Sequence, residues 1–150
     1  MAMQKLTIGS IVTIAVIGLF VSALGAMTAT LTLPNTATIS ASTGINIYSD
    51  PSCTTPVTSI NWGTLTPGQQ ATQTFFVKNT GSVRVTLSMA TGNWNPSTAQ
   101  QYITVGWNYS GSILNAGSSI PVRFTLTISP TVSGITTFSF TINITCTEQT

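Results

Sequence analysis

Few side chains in this sequence can do chemistry. There is no histidine, and the only side-chain carboxylates are Asp50 and Glu148. Histidine is the usual proton carrier near neutral pH, so general acid–base catalysis loses its commonest agent. A two-carboxylate mechanism would need Asp50 and Glu148 to face each other across a substrate. Asp50 falls in an Asp-Pro-Ser turn and Glu148 in the C-terminal tail. The many serines have no base to activate them. No phosphate loop, calcium loop or dinucleotide fingerprint is present. Two cysteines without histidine cannot complete a four-ligand zinc site. The inventory predicts a protein that is not an enzyme and needs no cofactor and no metal.

What chemistry remains is covalent or adhesive. Cys53 and Cys146 are an even pair in a chain with an export-type N-terminus, which predicts a disulfide. Such a bridge would close a loop of about 94 residues and contribute roughly 4–5 kcal/mol by loop entropy. Asn108-Tyr109-Ser110 and Asn143-Ile144-Thr145 are glycosylation sequons, so glycans are possible partners. Trp62, Trp94 and Trp107 have two readings, a carbohydrate platform or filling of a β core, and no cluster of polar residues accompanies any of them.

Composition bounds the rest. The chain has 150 residues, of which 4% are charged, and a net charge of +2. A typical soluble domain is about 25% charged. The cations Lys5, Lys78, Arg84 and Arg123 are scattered, so nucleic acid is not an expected partner. Ser and Thr make up roughly 30% of the chain. Hydroxyls hydrate a sheet face, and Thr favours the strand conformation. They provide no like-charge repulsion, the usual guard against pairing of strand edges. Either glycans or the surrounding medium keep such a surface soluble, or edge-to-edge association is its purpose.

The elements follow from hydropathy. Leu6–Met27 contains no charge and no proline. As a helix it would be roughly 33 Å long, enough to cross a bilayer core. Residues 1–27 therefore read as a signal or anchor helix, and three fates are open: removal, anchorage in lipid, or retention as a filament core. Gly18, Ser22 and Ala26 fall four apart and form a small-residue face suited to helix packing. Export signals are also rich in small residues. Residues 28–43 form a Thr-rich linker or donor strand, with Leu31, Leu33 and Ile39 as its candidate pocket-filling side chains. Pro34 restricts this segment to an edge, a bulge or a break. It is either the domain's own first strand or a strand added to a neighbour's sheet.

Residues 44–150 alternate short apolar runs with turn residues, the pattern of a sandwich or barrel. About seven antiparallel strands are expected: 45–49, 59–62, 71–79, 83–90, 102–107, 120–128 and 136–146. No helix is expected in this region. Thr66-Pro67-Gly68-Gln69 has the residues of a type II turn. Asn79-Thr80-Gly81-Ser82 reads as a hairpin loop. Leu65-Thr66-Pro67-Gly68 leading to Phe75 and Val77 is echoed by Leu114-Asn115-Ala116-Gly117 leading to Phe124 and Leu126.

The stretch Ile60–Ala90, INWGTLTPGQQATQTFFVKNTGSVRVTLSMA, resembles Ig-like domains of microbial surface proteins. It is most similar to the camelysin/TasA-like fibre subunits, including archaeal bundling-pilus subunits. The hydrophobic N-terminus shows a weaker resemblance to archaeal pilins. The paired cysteines and sparse charge depart from the bacterial members of the first family. The resemblance implies a mainly β protein, an Ig-like or jelly-roll β-sandwich preceded by one hydrophobic helix. It also implies a structural subunit of an extracellular filament, in which an N-terminal segment of one subunit completes the sheet of the next. The expected partner is the chain itself, with the membrane as route or anchor, and the expected location is the cell surface or beyond. The alternative is a membrane-anchored Ig-like envelope module that stays monomeric or binds surface partners.

Overall fold

A computed structural model describes residues 33–41 and 44–150. The expected helix at 6–27, its face of Gly18, Ser22 and Ala26, and the donor candidate Leu31 lie outside these residues. Eight strands run in the order β1 (Leu33–Ala41), β2 (Ile45–Tyr48), β3 (Ser59–Leu65), β4 (Gln70–Asn79), β5 (Val85–Asn95), β6 (Ile103–Trp107), β7 (Ser119–Ile128) and β8 (Phe138–Glu148). They form two four-stranded sheets, β3-β1-β8-β5 and β2-β4-β7-β6. Every pairing is antiparallel except β1 with β8. The fold is mainly β, and one compact unit covers Leu31–Thr150.

Alternation sets the faces. In β8, Phe138, Phe140, Ile142 and Ile144 are buried, while Ser139, Thr141 and Asn143 between them are only partly covered. In β7, Val122, Phe124, Leu126 and Ile128 are buried in the same way. Successive strand residues point to opposite faces, so each sequence needs one dry side and one wet side. The dry sides of both sheets meet in a single core. Phe124 sits there with its ring 5.8 Å from Phe75 and 6.1 Å from Trp107.

Three expectations need correction, and one alternative is decided. Over 33–41 the segment around Pro34 is the domain's own first strand: β1 lies inside its sheet, antiparallel to β3 and parallel to β8. A bulge falls between Asn35 and Thr36, where Trp62 has no register partner on β1. Residues 79–82 do not close a hairpin, because β4 and β5 belong to different sheets. The connection crosses the core edge, with the amides of Thr80 and Gly81 both donating to the Gly44 carbonyl. Val83 does not begin the next strand; it is 42% exposed, and β5 starts at Val85. Finally, a short 3-10 helix, Ser97–Gln101, follows the cis Asn95–Pro96 peptide.

Other turns match the reading. Gly68 has φ +79°, and the Gln69 amide donates to the Thr66 carbonyl at 3.0 Å, as a type II turn requires. Its echo, Gly117, has φ +75°. Each of these two turns feeds a central strand of the same sheet, β4 and β7, which pair with each other.

Candidate interaction surface

The two carboxylates are not brought together. Asp50 follows β2 and folds back on its own turn. Its carboxylate accepts the amides of Thr54 and Thr55 and the Thr54 hydroxyl at 2.7–3.1 Å. The Thr55 backbone bond is the largest influence and, with the Thr54 bonds, lowers the Asp50 pKa below its ordinary value against an opposing desolvation. Glu148 lies at the other end of β2, lining a cavity of about 180 Å³ with Gly44, Asn79 and Cys146. The length of β2, about 13 Å at strand rise, stands between the two acids. No substrate-sized gap is flanked by both.

The same distance separates the cysteines. Cys146 lines that cavity near Gly44, whereas Cys53 sits in the turn beyond Tyr48. No bond joins them. A disulfide needs its Cα atoms within about 7 Å. The expected Cys53–Cys146 bridge is therefore corrected: sequence pairing by count ignored that the two residues belong to opposite ends of β2.

The sequons differ in setting. Asn108 follows β6 and is exposed, with its Oδ1 accepting the Arg123 amide at 2.7 Å. Asn143 is half-buried in the middle of β8, between Ser40 of β1 and Ala90 of β5. The tryptophans follow their core-filling alternative. Trp62 is 4% exposed. Trp94 stacks on Phe140 at 4.4 Å and 12°, and Trp107 packs against Tyr109 and Phe124. Of the donor candidates, Leu33 lies in β1 opposite Leu65, and Ile39 is buried in the chain's own core.

Two buried asparagines went unremarked in the sequence. Asn79 is 1% exposed and fully engaged. Its Nδ2 donates to the carbonyls of Val83 (2.8 Å) and Leu114 (3.1 Å), and its Oδ1 accepts the Gly81 amide (3.0 Å). Asn35 is 0% exposed, and neither polar atom of its side chain has a partner; nor does Trp62 Nε1 at the neighbouring bulge. Tyr109 was also missed. Its hydroxyl donates to the Ser112 carbonyl and accepts the Leu87 amide at 3.1 Å, tying the 108–118 loop to β5. Alternation marks inward positions but not which polar residues will find partners there.

The strand edges are the feature these placements leave for function. β2, β3, β5 and β6 are the four edge strands, and none carries a charged residue or a proline. Lys78 and Arg123 lie on the central strands β4 and β7, and Glu148 on the central strand β8. Arg84 immediately precedes β5, and its Nε donates to the Gln149 carbonyl at 3.2 Å. Part of these edges is already paired: beside β2 the Ile47 carbonyl accepts the Val57 amide and the Ser49 amide donates to the Thr55 carbonyl, and on β5 Val85 exchanges both bonds with Leu114 while the Leu87 amide donates to Tyr109. The rest of the edge backbone is presented without the usual electrostatic guard. No protein-family model matches the chain, and no curated protein matches it.

Proposed function

We propose that this chain is a structural subunit of an extracellular filament with an Ig-like or jelly-roll β-sandwich body. The observation that carries the reading is the charge-free edge on every outer strand. Natural sheets that stay monomeric usually block such edges. The position of β1 supports strand addition as the joining step. It is the first strand, fills an interior slot between β3 and β8, and runs parallel to the last strand. A neighbour's β1 entering that slot would re-form the same ladders while linking two subunits. Packing of 6–27 helices is a second contact consistent with the same assembly.

A single-cysteine pairing experiment tests strand exchange. Thr38 and Thr141 are register partners across β1 and β8 and alternate with the buried residues. One preparation carries Thr38→Cys and another Thr141→Cys, both with Cys53→Ser and Cys146→Ser. Co-assembled and oxidised, they should form a disulfide between chains. Filaments in electron micrographs without that bond would reject β1 exchange; absence of filaments would reject the subunit reading. That β1 is seated in its own chain favours the alternative of a membrane-anchored module. It expects an intramolecular bond in the Thr38→Cys/Thr141→Cys double variant and no bond between the single variants.

A further inference from the structure

The outer face of the sheet β2-β4-β7-β6 carries a pattern that filament assembly does not use. Ile45 and Ile47 of β2, Phe75 and Val77 of β4, and Val122 and Phe124 of β7 are buried. Their sequence neighbours therefore point outward. Register then sets Tyr48, Phe76 and Pro121 side by side in one row across three strands. At a strand spacing of about 4.8 Å the row is about 10 Å wide. Tyr48 and Phe76 are partly buried and Pro121 is exposed. The ring contacts of the described aromatics involve neither Tyr48 nor Phe76.

Two cations bracket this row. Lys78 stands two residues from Phe76 on β4, opposite Asn46 and Ser119. Arg123 stands two residues from Pro121 on β7, opposite Thr74. They lie on opposite sides of the row, about 14 Å apart by strand rise and spacing. No carboxylate neutralises them. Asp50, just past Tyr48, is occupied by Thr54 and Thr55, and Glu148 belongs to the other sheet.

We infer that this face binds an acidic polysaccharide. Pyranose rings present apolar C–H faces that stack on aromatic and proline rings, with Tyr48, Phe76 and Pro121 as the floor. Lys78 and Arg123 then meet carboxylates or sulfates on sugars a few residues apart along the same chain. A neutral glycan would use the floor and leave both cations unpaired. A wholly apolar partner would bury them at a cost.

The test is affinity electrophoresis of the purified chain through gels containing polygalacturonate or neutral dextran. Retardation is expected in polygalacturonate alone and should fade as salt rises, because exposed charges are screened. Tyr48→Ala/Phe76→Ala should weaken binding about tenfold or more. Lys78→Gln/Arg123→Gln should abolish the preference for the acidic polymer while leaving the thermal transition unchanged, since both side chains stand on the solvent face. Equal retardation in dextran, no retardation in polygalacturonate, or wild-type binding by the charge variant would each overturn the inference. Should the aromatic variant fail to fold, the charge variant alone decides.

Discussion

The two buried asparagines allow one substitution to be compared at two sites. Asn→Leu keeps the branch at Cγ and the number of heavy atoms, while its methyls are bulkier than the amide and overpack either site by about 1–3 kcal/mol. At Asn79 the change removes three hydrogen bonds of 2.8–3.1 Å. At about 1 kcal/mol each, the loss is about 3 kcal/mol. Some of the deserted groups keep a partner, because the Leu114 carbonyl still accepts the Val85 amide and the Gly81 amide still reaches Gly44. At Asn35 nothing is lost, because neither side-chain polar atom is bonded. Removing an unpaired buried amide should return about 1–3 kcal/mol. For a domain of this size 1 kcal/mol is worth about 4 °C. With the overpacking common to both, Asn35→Leu should melt about 16–24 °C above Asn79→Leu. Circular dichroism melts of the two variants beside the parent chain would measure both. An Asn35→Leu variant no more stable than Asn79→Leu would refute the reasoning. It would mean that Asn35 has a partner, and Trp62 Nε1 is the nearest orphan; a double-mutant cycle with Trp62→Phe would then show coupling.

Three further outcomes follow from single residues. Gly68→Ala should cost about 1–2 kcal/mol in a urea melt, because φ +79° is left-handed while the new Cβ meets Pro130 at an ordinary 3.7 Å; an unchanged midpoint would contradict the type II turn. Tyr109→Phe should cost about 1–2 kcal/mol by leaving the Leu87 amide and the Ser112 carbonyl without their shared partner, and faster amide exchange at Leu87 would locate the loss. The carboxylate of Asp50 is held below its usual pKa by the Thr55 and Thr54 bonds, so it stabilises its turn fully above the unfolded value, and that contribution fades as pH falls through the lower folded value. Asp50→Asn should flatten this acid-side dependence in melts taken across that range; an identical pH profile would refute the turn's role.

Much of the body was legible because alternation is a physical requirement of a half-buried sheet. On the strands expected at 120–128 and 136–146, Phe124, Leu126 and Ile128 and Phe138, Phe140, Ile142 and Ile144 are all buried on one side. The Pro67-Gly68 turn emerged as read, its geometry depending on two residues alone. What alternation could not show was which strands are neighbours. Asn79–Ser82 has the residues of a hairpin loop, yet whether two strands pair or part across it is decided by the core they must share. Pro34 restricted the segment to an edge, a bulge or a break; in fact β1 is an interior strand, with Pro34 at its start opposite Thr64, where proline is tolerated, and a bulge just after it. The cysteine pairing failed for the same reason, since residue count carries no information about distance. The aromatic row fared likewise: Tyr48, Phe76 and Pro121 are far apart in sequence and adjacent only through register.

The distribution of charge separates two kinds of association on one domain. Backbone pairing along β2, β3, β5 or β6 would bring together strands without a single charged side chain. Coulomb terms enter such contacts weakly, and salt screens only what is charged. The face bearing Lys78 and Arg123 is the reverse: its selectivity rests on two surface cations, Lys78 partly buried and Arg123 exposed, whose reach shrinks from about 10 Å at 0.1 M salt to about 3 Å at 1 M. Raising salt should therefore strip acidic polysaccharide from the protein while leaving filament length, followed by light scattering and electron microscopy, essentially unchanged. The Lys78→Gln/Arg123→Gln variant should assemble like the parent chain in every salt. If high salt dissolved the filaments, the unguarded edges would not be what joins the subunits, and the joining contact would have to be sought at Arg84, Glu148 or another charged group.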